Sequence, residues 1–247
     1  MIEQKMDAAE ADRWARLRDN LAAVRRRIEA ATEAAGRQAS PPELIVVTKF
    51  HPVQDIRWLA SLGVTDVGEN RDQEAAGKAA ELDGLNLRWH FVGQLQGNKA
   101  KSVVRYAHAV HSVDRPQLAA ALAKAATAEH ERTGRGPLAC FIQVSLDDDA
   151  GEHRGGIHAA DVPALAEQLA GAEGLSLSGV MAVAPRGADP EAAFEKLAGI
   201  SAALTAVHPG AGGISAGMSQ DLESAIRFGA THLRIGSDIL GPRPGLR

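Results

Sequence analysis

Leu44-Ile45-Val46-Val47-Thr48-Lys49 is an apolar run that closes on a charge. Read as an extended strand, its side chains alternate, so Ile45, Val47 and Lys49 share one face. It follows the helix-stopping pair Pro41-Pro42 and leads into a helical pattern over 53–62. The same strand-then-helix unit recurs to the end of the chain. Short apolar runs predict strands over 44–49, 66–70, 87–93, 109–113, 138–146, 177–183, 213–216 and 233–239. Runs rich in Ala, Leu and charge predict helices between them, including 53–62, 71–82, 116–132, 162–170, 190–207 and 219–228. Parallel neighbours need a crossover that a helix supplies, so the alternation predicts an α/β fold with a parallel sheet. Eight such units within 247 residues predict closure into a single (β/α)8 TIM barrel over 43–241.

Ahead of the barrel, Trp14, Leu17, Leu21, Val24 and Ile28 step by three and four along one face of a predicted helix. Gly36 and the two prolines end it, which makes 1–40 a helical extension packed on the outside of the barrel or over one end. Arg25-Arg26-Arg27 reads as its solvated face. The clusters Gly134-Arg135-Gly136-Pro137 and His208-Pro209-Gly210-Ala211-Gly212 are loops of ordinary length, so 1–247 reads as one domain.

Several function classes are disfavoured at once. A net charge of −4, from 27 basic and 31 acidic residues, provides no broad attraction for nucleic acid or a membrane surface. No apolar run approaches the roughly 20 residues of a membrane helix. Met1 to Arg13 is charged and lacks the apolar segment of a signal peptide, so a cytoplasmic location is expected. The lone Cys140, in the apolar run 138–142, excludes an intramolecular disulfide and reads as a core thiol. Asp147-Asp148-Asp149 reads as a solvated turn, and no His/Cys spacing completes a metal site around it. No large apolar surface stripe is visible, and a monomer is expected.

Three features carry chemistry. Lys49 sits at the carboxyl end of the first strand, where barrel active sites lie. A lysine there either snorkels to solvent or, desolvated, acts as a Schiff-base amine. Ser215-Ala216-Gly217-Met218-Ser219 follows strand seven and opens a helix that Ser219 is placed to cap. Arg234-Ile235-Gly236-Ser237 falls in the predicted last strand. Loops after strands seven and eight form a recurrent phosphate site in this fold. Glycines there admit a ligand to the backbone, although ordinary turn chemistry reads the same way. Arg234 must pair with an acid or face a ligand, because an unpaired charge inside a strand is costly.

These segments, with Val67-Gly68-Glu69-Asn70-Arg71, Trp89-His90-Phe91-Val92-Gly93-Gln94-Leu95-Gln96-Gly97-Asn98-Lys99, His111-Ser112-Val113-Asp114 and Gly179-Val180-Met181-Ala182, resemble the pyridoxal phosphate homeostasis proteins over nearly the whole chain and in the same order. The resemblance implies a barrel like the N-terminal domain of alanine racemase and pyridoxal 5′-phosphate (PLP) as cofactor. It implies Lys49 as the Schiff-base lysine and Arg234 facing the pyridine nitrogen. Ser219, Gly236 and Ser237 would hold the phosphate, with Ser215 and Gly217 in the same turn and Asn70 a neighbour of the cofactor. An arginine at the ring nitrogen leaves it largely unprotonated and a weak electron sink. Two departures stand out: Arg154 where relatives commonly carry lysine, and Ser215-Ala216-Gly217 in place of Ser-Met-Gly.

The family is associated with intracellular vitamin B6 and amino-acid homeostasis. In racemases a tyrosine from a separate C-terminal domain serves the second face of the substrate. Here the chain ends soon after strand eight, and its one tyrosine, Tyr106, precedes strand four at the wrong end of the barrel. The expected function is therefore a non-catalytic carrier that holds PLP and passes it to PLP-dependent apoenzymes. The alternatives are a low-activity racemase or transaminase, and, more remotely, a Schiff-base aldolase acting on a phosphosugar.

Overall fold

The computed structural model describes residues 6–146, 155–185, 187 and 189–242. Eight strands form a closed parallel barrel in sequence order: β1 (Glu43–Val47), β2 (Asp66–Glu69), β3 (Arg88–Phe91), β4 (Ala107–Val113), β5 (Leu138–Gln143), β6 (Leu175–Met181), β7 (Gly213–Ser215) and β8 (His232–Ile235). β1 closes on β8 with Leu44 opposite Leu233 and Val46 opposite Ile235. The helices are α1 (Ala8–Ala34), α2 (Val53–Ser61), α3 (Asp72–Glu81), α4 (Ala100–Tyr106), α5 (Pro116–Thr133), α6 (Val162–Ala170), α7 (Pro190–Val207), α8 (Leu222–Arg227) and α9 (Ser237–Leu240). The fold is the (β/α)8 TIM barrel that the alternation predicts.

α1 begins at a capping box: the Asp7 carboxylate accepts from Ala9 and Glu10 N–H, and Glu10 reaches back to the Asp7 N–H. Its buried stripe, Leu17, Leu21, Val24 and Ile28, lies against α2, α8 and α9 on the outside of the barrel, over the seam where β8 meets β1. Arg25 and Arg26 are exposed, as a solvated face requires, and Arg25 donates to the carbonyls of Leu62 and Gly63 from there; Arg27 departs from that reading, half-buried and paired with Glu223 and Asp238.

Two boundaries near the C-terminus differ from the sequence reading. The last strand stops at Ile235 rather than 239, because the chain turns at Gly236 and Ser237–Leu240 becomes a short helix. Ile239 and Leu240 continue the apolar run, but they are buried as helix residues beside α1, where Asn20 donates to the Ile239 carbonyl. Likewise α8 starts at Leu222, not at 219, so Ser219 is not its cap.

The core has two unlike parts. Between strands and helices it is apolar, with Leu59, Val67, Leu118, Leu122, Ile142 and Leu169 all fully buried. Cys140 belongs to this layer, and burial pushes its thiol pKa up to about 12, so it rests protonated. The lumen is different. Barrels of this kind are usually filled by branched aliphatic side chains. Here Asp66, His90, His111, Ser215 and Arg234 are buried alongside a small cluster of Ala109, Phe141 and Met181. Gly179 lets β6 approach β7: its φ is 145°, and a Cβ there would lie 1.8 Å from the Gly213 carbonyl oxygen.

Candidate functional site

The upper end of the barrel, where the strands terminate, is built around the turn after β1. β1 ends at Val47, so Lys49 stands just past the strand rather than in it. Both neighbours of Lys49 are pinned. The Thr48 hydroxyl donates to Glu69 Oε1 (2.7 Å) and its carbonyl accepts from Lys78 Nζ (2.9 Å). Phe50 adopts the left-handed backbone region, φ 69°, which strains a residue with a side chain by about 1–2 kcal/mol. Its N–H is held by Glu74 Oε1 at 2.7 Å. Lys78, on α3 and nearly buried, ties the arrangement together by also donating to Glu69 and Glu74 at 2.7 Å each. Burial raises the Glu69 pKa, and the Lys78 cation opposes that rise.

Across the pocket, Arg234 rises from β8 with 5% of its surface exposed. Its Nη1 donates to Ser215 Oγ (2.6 Å) and its Nη2 to the Ala182 carbonyl (2.9 Å). Burial lowers its pKa to about 10, which leaves it cationic at neutral pH. The charge is thus anchored by neutral acceptors of the barrel wall, a hydroxyl and a backbone carbonyl. The Arg234 N–H donates to the Gly217 carbonyl, which fixes the turn after β7 to β8. Gly217 has φ 91°, and a Cβ on it would come within 2.7 Å of the Ala225 Cβ. Beyond it, the Asp221 carboxylate accepts from the Met218 N–H (2.6 Å), so Asp221 closes the turn in place of Ser219.

That turn brings Ser219 Oγ within 3.2 Å of Ser237 Oγ. Ser237 opens α9, where a helix's first N–H groups lack intrahelical partners. Arg27 supports the pair from α1, donating to the Ser219 carbonyl (3.0 Å) and to Asp238 (2.7 Å). A pocket of about 780 Å³ opens here, and Lys49, Ser219, Arg234, Gly236 and Ser237 all line it. Ser215 lies beneath, bonded to Arg234, and Gly217 lies behind the wall. Asn70 lines a second pocket with Arg71, Gln94 and Lys99. Arg154 and the three aspartates 147–149 lie outside the described residues. Tyr106 does not line the pocket. Its hydroxyl faces Asp72 at 3.4 Å, and burial, with that carboxylate, raises its pKa. Among the described residues no cluster of His, Cys, Asp and Glu could hold a metal ion.

Three contributors escape the sequence reading. Arg27 reads there as a surface charge, and the Glu74–Lys78 pair sits unmarked in an ordinary helix. The third is the lumen chain of His111, His90 and Asp66 that continues from Ser215. His90 is flanked by Trp89 and Phe91, so strand alternation alone places it on the opposite face from them.

The lumen has a consequence for acid stability. Burial lowers the His232 pKa to about 4, and burial holds that of His111 well below its usual value. Between pH 6.5 and 4 the unfolded chain therefore binds more protons at His232 than the folded one, so stability falls as pH falls through that window. The expected loss from His232 between pH 7 and 5 is on the order of 1–2 kcal/mol. Thermal unfolding of the wild type and of His232→Phe at both pH values checks this. The variant should lose less than the wild type.

The alanine racemase, N-terminal domain family model matches residues 19–244. A pyridoxal phosphate homeostasis protein of Mycobacterium tuberculosis is 44% identical, and the match covers 94% of this chain and 95% of that one. The chain belongs to the pyridoxal phosphate homeostasis protein family. Within this family's fold, PipY of Synechococcus elongatus, in a structure with PLP bound, is 33% identical with a TM-score of 0.77, covering 91% of this chain and 100% of PipY. The alanine racemase of Streptomyces coelicolor shares the fold at 19% identity and a TM-score of 0.70, covering 92% of this chain and 58% of the racemase. No helix among the described residues of this family member is long and apolar enough to cross a membrane.

Proposed function

We propose that this chain binds pyridoxal 5′-phosphate at the upper mouth of the barrel, attached through Lys49, and acts as a carrier in intracellular vitamin B6 and amino-acid homeostasis. The observation that carries this reading is that one pocket gathers Lys49, the Arg234 cation and the Ser219–Ser237 pair. Its donor set fits the group: an amine for the aldehyde, paired hydroxyls and a helix start for the phosphate, and a guanidinium for the ring nitrogen. The names of the relatives and the PLP-bound PipY structure support the same assignment. When bound, PLP would supply an electrophilic aldehyde that a lysine amine attacks reversibly.

The chain's own residues do the rest. Glu74 and Lys78 fix the turn that presents Lys49. Ser219, Gly236 and Ser237 would receive the phosphate, and Arg27 holds their loops in place. Arg234, cationic and anchored to Ser215 and Ala182, would face the ring nitrogen and, as a donor, would discourage a proton there, leaving the ring a weak electron sink. Racemisation needs an acid or base on each face of the substrate carbon. The described tyrosine, Tyr106, lines a different pocket from Lys49. We place the chain in the cytoplasm as a monomer that passes its cofactor to PLP-dependent apoenzymes.

The test is to incubate PLP-loaded protein with L-alanine and L-serine in deuterated water, and separately with a PLP-dependent apoenzyme. Activation of the apoenzyme with no deuterium at Cα above the level given by free PLP is the expected result. Sustained exchange that Lys49→Ala abolishes would instead make the chain an enzyme. Ser219→Ala should weaken PLP binding about tenfold, the worth of one hydrogen bond to a charged group, and leave the Lys49 linkage formed. An unchanged dissociation constant would remove Ser219 from the phosphate site.

A further inference from the structure

His51 lines the same pocket as Lys49, and the cofactor reading leaves it without a task. Its N–H donates to the Thr48 carbonyl at 3.1 Å, which closes a tight turn around Lys49 and the left-handed Phe50. Only 7% of its surface is exposed. Its ring Nδ1 is sealed from solvent and has no hydrogen-bond partner, and it lies 3.7 Å from Asp55 Oδ2 on α2. Nε2 is the ring nitrogen left to meet the pocket.

The carboxylate behind the ring is itself fixed. Asp55 is 3% exposed, and Arg13 of α1 grips it through Nε (3.3 Å) and Nη2 (2.6 Å). The same Nη2 donates to the Leu240 carbonyl at 3.0 Å. Burial opposes the charge of Asp55, yet His51 and Arg13 together hold its pKa low. An ionised carboxylate only accepts, so it favours a ring proton on Nδ1 and leaves Nε2 with its lone pair. A buried acid orients the histidine of hydrolase triads in the same way.

The other charged groups of this pocket are unsuited to shuttling a proton. Among the described residues that line it, these are Lys49, Asp221 and Arg234. Lys49 is the reacting amine, Asp221 is engaged by the Met218 N–H, and Arg234 stays cationic. Making or breaking a bond between an amine and an aldehyde moves protons on and off both nitrogen and oxygen, which a histidine in reach accelerates.

We infer that His51, oriented by Asp55, is the acid–base group that speeds attachment and release of the aldehyde at Lys49. This role deepens the cofactor reading and rests on it. In release, water's oxygen bonds to the aldehyde carbon of the protonated linkage. One water proton passes to His51 Nε2, and the carbon–nitrogen π pair moves to the Lys49 nitrogen. His51 returns that proton to the nitrogen. It then takes the hydroxyl proton as the carbon–nitrogen bond breaks and the aldehyde re-forms, and hands it to the freed amine. One water is consumed, Lys49 ends as an ammonium, and His51 is unchanged; attachment is the reverse. Because His51 acts in both directions, it sets the rates and leaves the equilibrium alone.

The experiment measures PLP attachment by stopped-flow absorbance, release into a phosphatase that consumes free PLP, and the dissociation constant. The proteins are the full-length wild type, His51→Gln, His51→Ala and Asp55→Asn. Imidazole nitrogen NMR without ligand accompanies them. Attachment and release should both slow about 100-fold in His51→Gln with the dissociation constant within about twofold of wild type, and added imidazole should restore part of the rate in His51→Ala. The neutral His51 ring should carry its proton on Nδ1. In Asp55→Asn the amide NH2 should face the ring, turn that proton to Nε2 and slow both rates. Wild-type rates in His51→Gln, a loss of rate matched by a loss of affinity, or no imidazole rescue would overturn the role of His51 while PLP binding stands. A wild type that forms no visible band would overturn the cofactor reading itself, and the role of His51 with it.

Discussion

Lys49→Ala should abolish covalent attachment of PLP completely and leave the thermal midpoint nearly unchanged. The residue stands in a turn past β1, half-buried at the rim of an open pocket, where truncation leaves no cavity in the apolar layer. Its removal should therefore alter stability by about 1 kcal/mol or less. Noncovalent binding should persist at reduced affinity, because the Ser219–Ser237 cradle and Arg234 remain. Spectra and melting curves of the two proteins, recorded together, check both halves. If the variant precipitates or loses its cooperative transition, Lys49 is a structural residue and the pocket's chemistry lies elsewhere.

Lys78→Met should destabilise the fold far more than Lys49→Ala or Ser219→Ala, by about 3–5 kcal/mol, because it strands Glu69 and Glu74 beside each other without their cation. Glu69 is 1% exposed, so water cannot take over that role. For a domain of this size the loss corresponds to a fall of roughly 6–20 °C in the thermal midpoint. The effect should extend to the site, since Lys78 also holds the Thr48 carbonyl and Glu74 holds the strained Phe50. The double variant Lys78→Met with Glu69→Gln should recover part of the loss, because the stranded charge is then gone. A fall of less than about 1 kcal/mol in the single variant would show that the three charges are not coupled as their distances indicate.

Much of this architecture is legible in the sequence because each element repeats one simple pattern. Helices α6 and α7 end where their apolar periodicity ends, and both start with Pro in the first turn. Barrel closure follows from counting eight strand-then-helix units. The boundaries are illegible where apolar residues serve two structures. Ile239 and Leu240 suit a strand as well as a short helix, and the chain's turn at Gly236 depends on packing against α1. The site is legible where one residue type is improbable in its setting, as with Lys49 past a strand and Arg234 inside one. The motif around Asn70 places that residue beside the cofactor, and the residue lines a second pocket with Arg71 and Gln94. The lumen line is not legible, because its members come from β2, β3, β4 and β7, and only the barrel brings them together.

The central claim is a bond between Lys49 and the cofactor's aldehyde carbon. Its most direct test is to load the protein with PLP, reduce it with borohydride, digest it and locate the modified lysine by mass spectrometry. The predicted result is one pyridoxyl-phosphate group per chain, on Lys49, with the visible band bleached by reduction. A reduced protein that carries the group on another lysine, or on none, would contradict the claim.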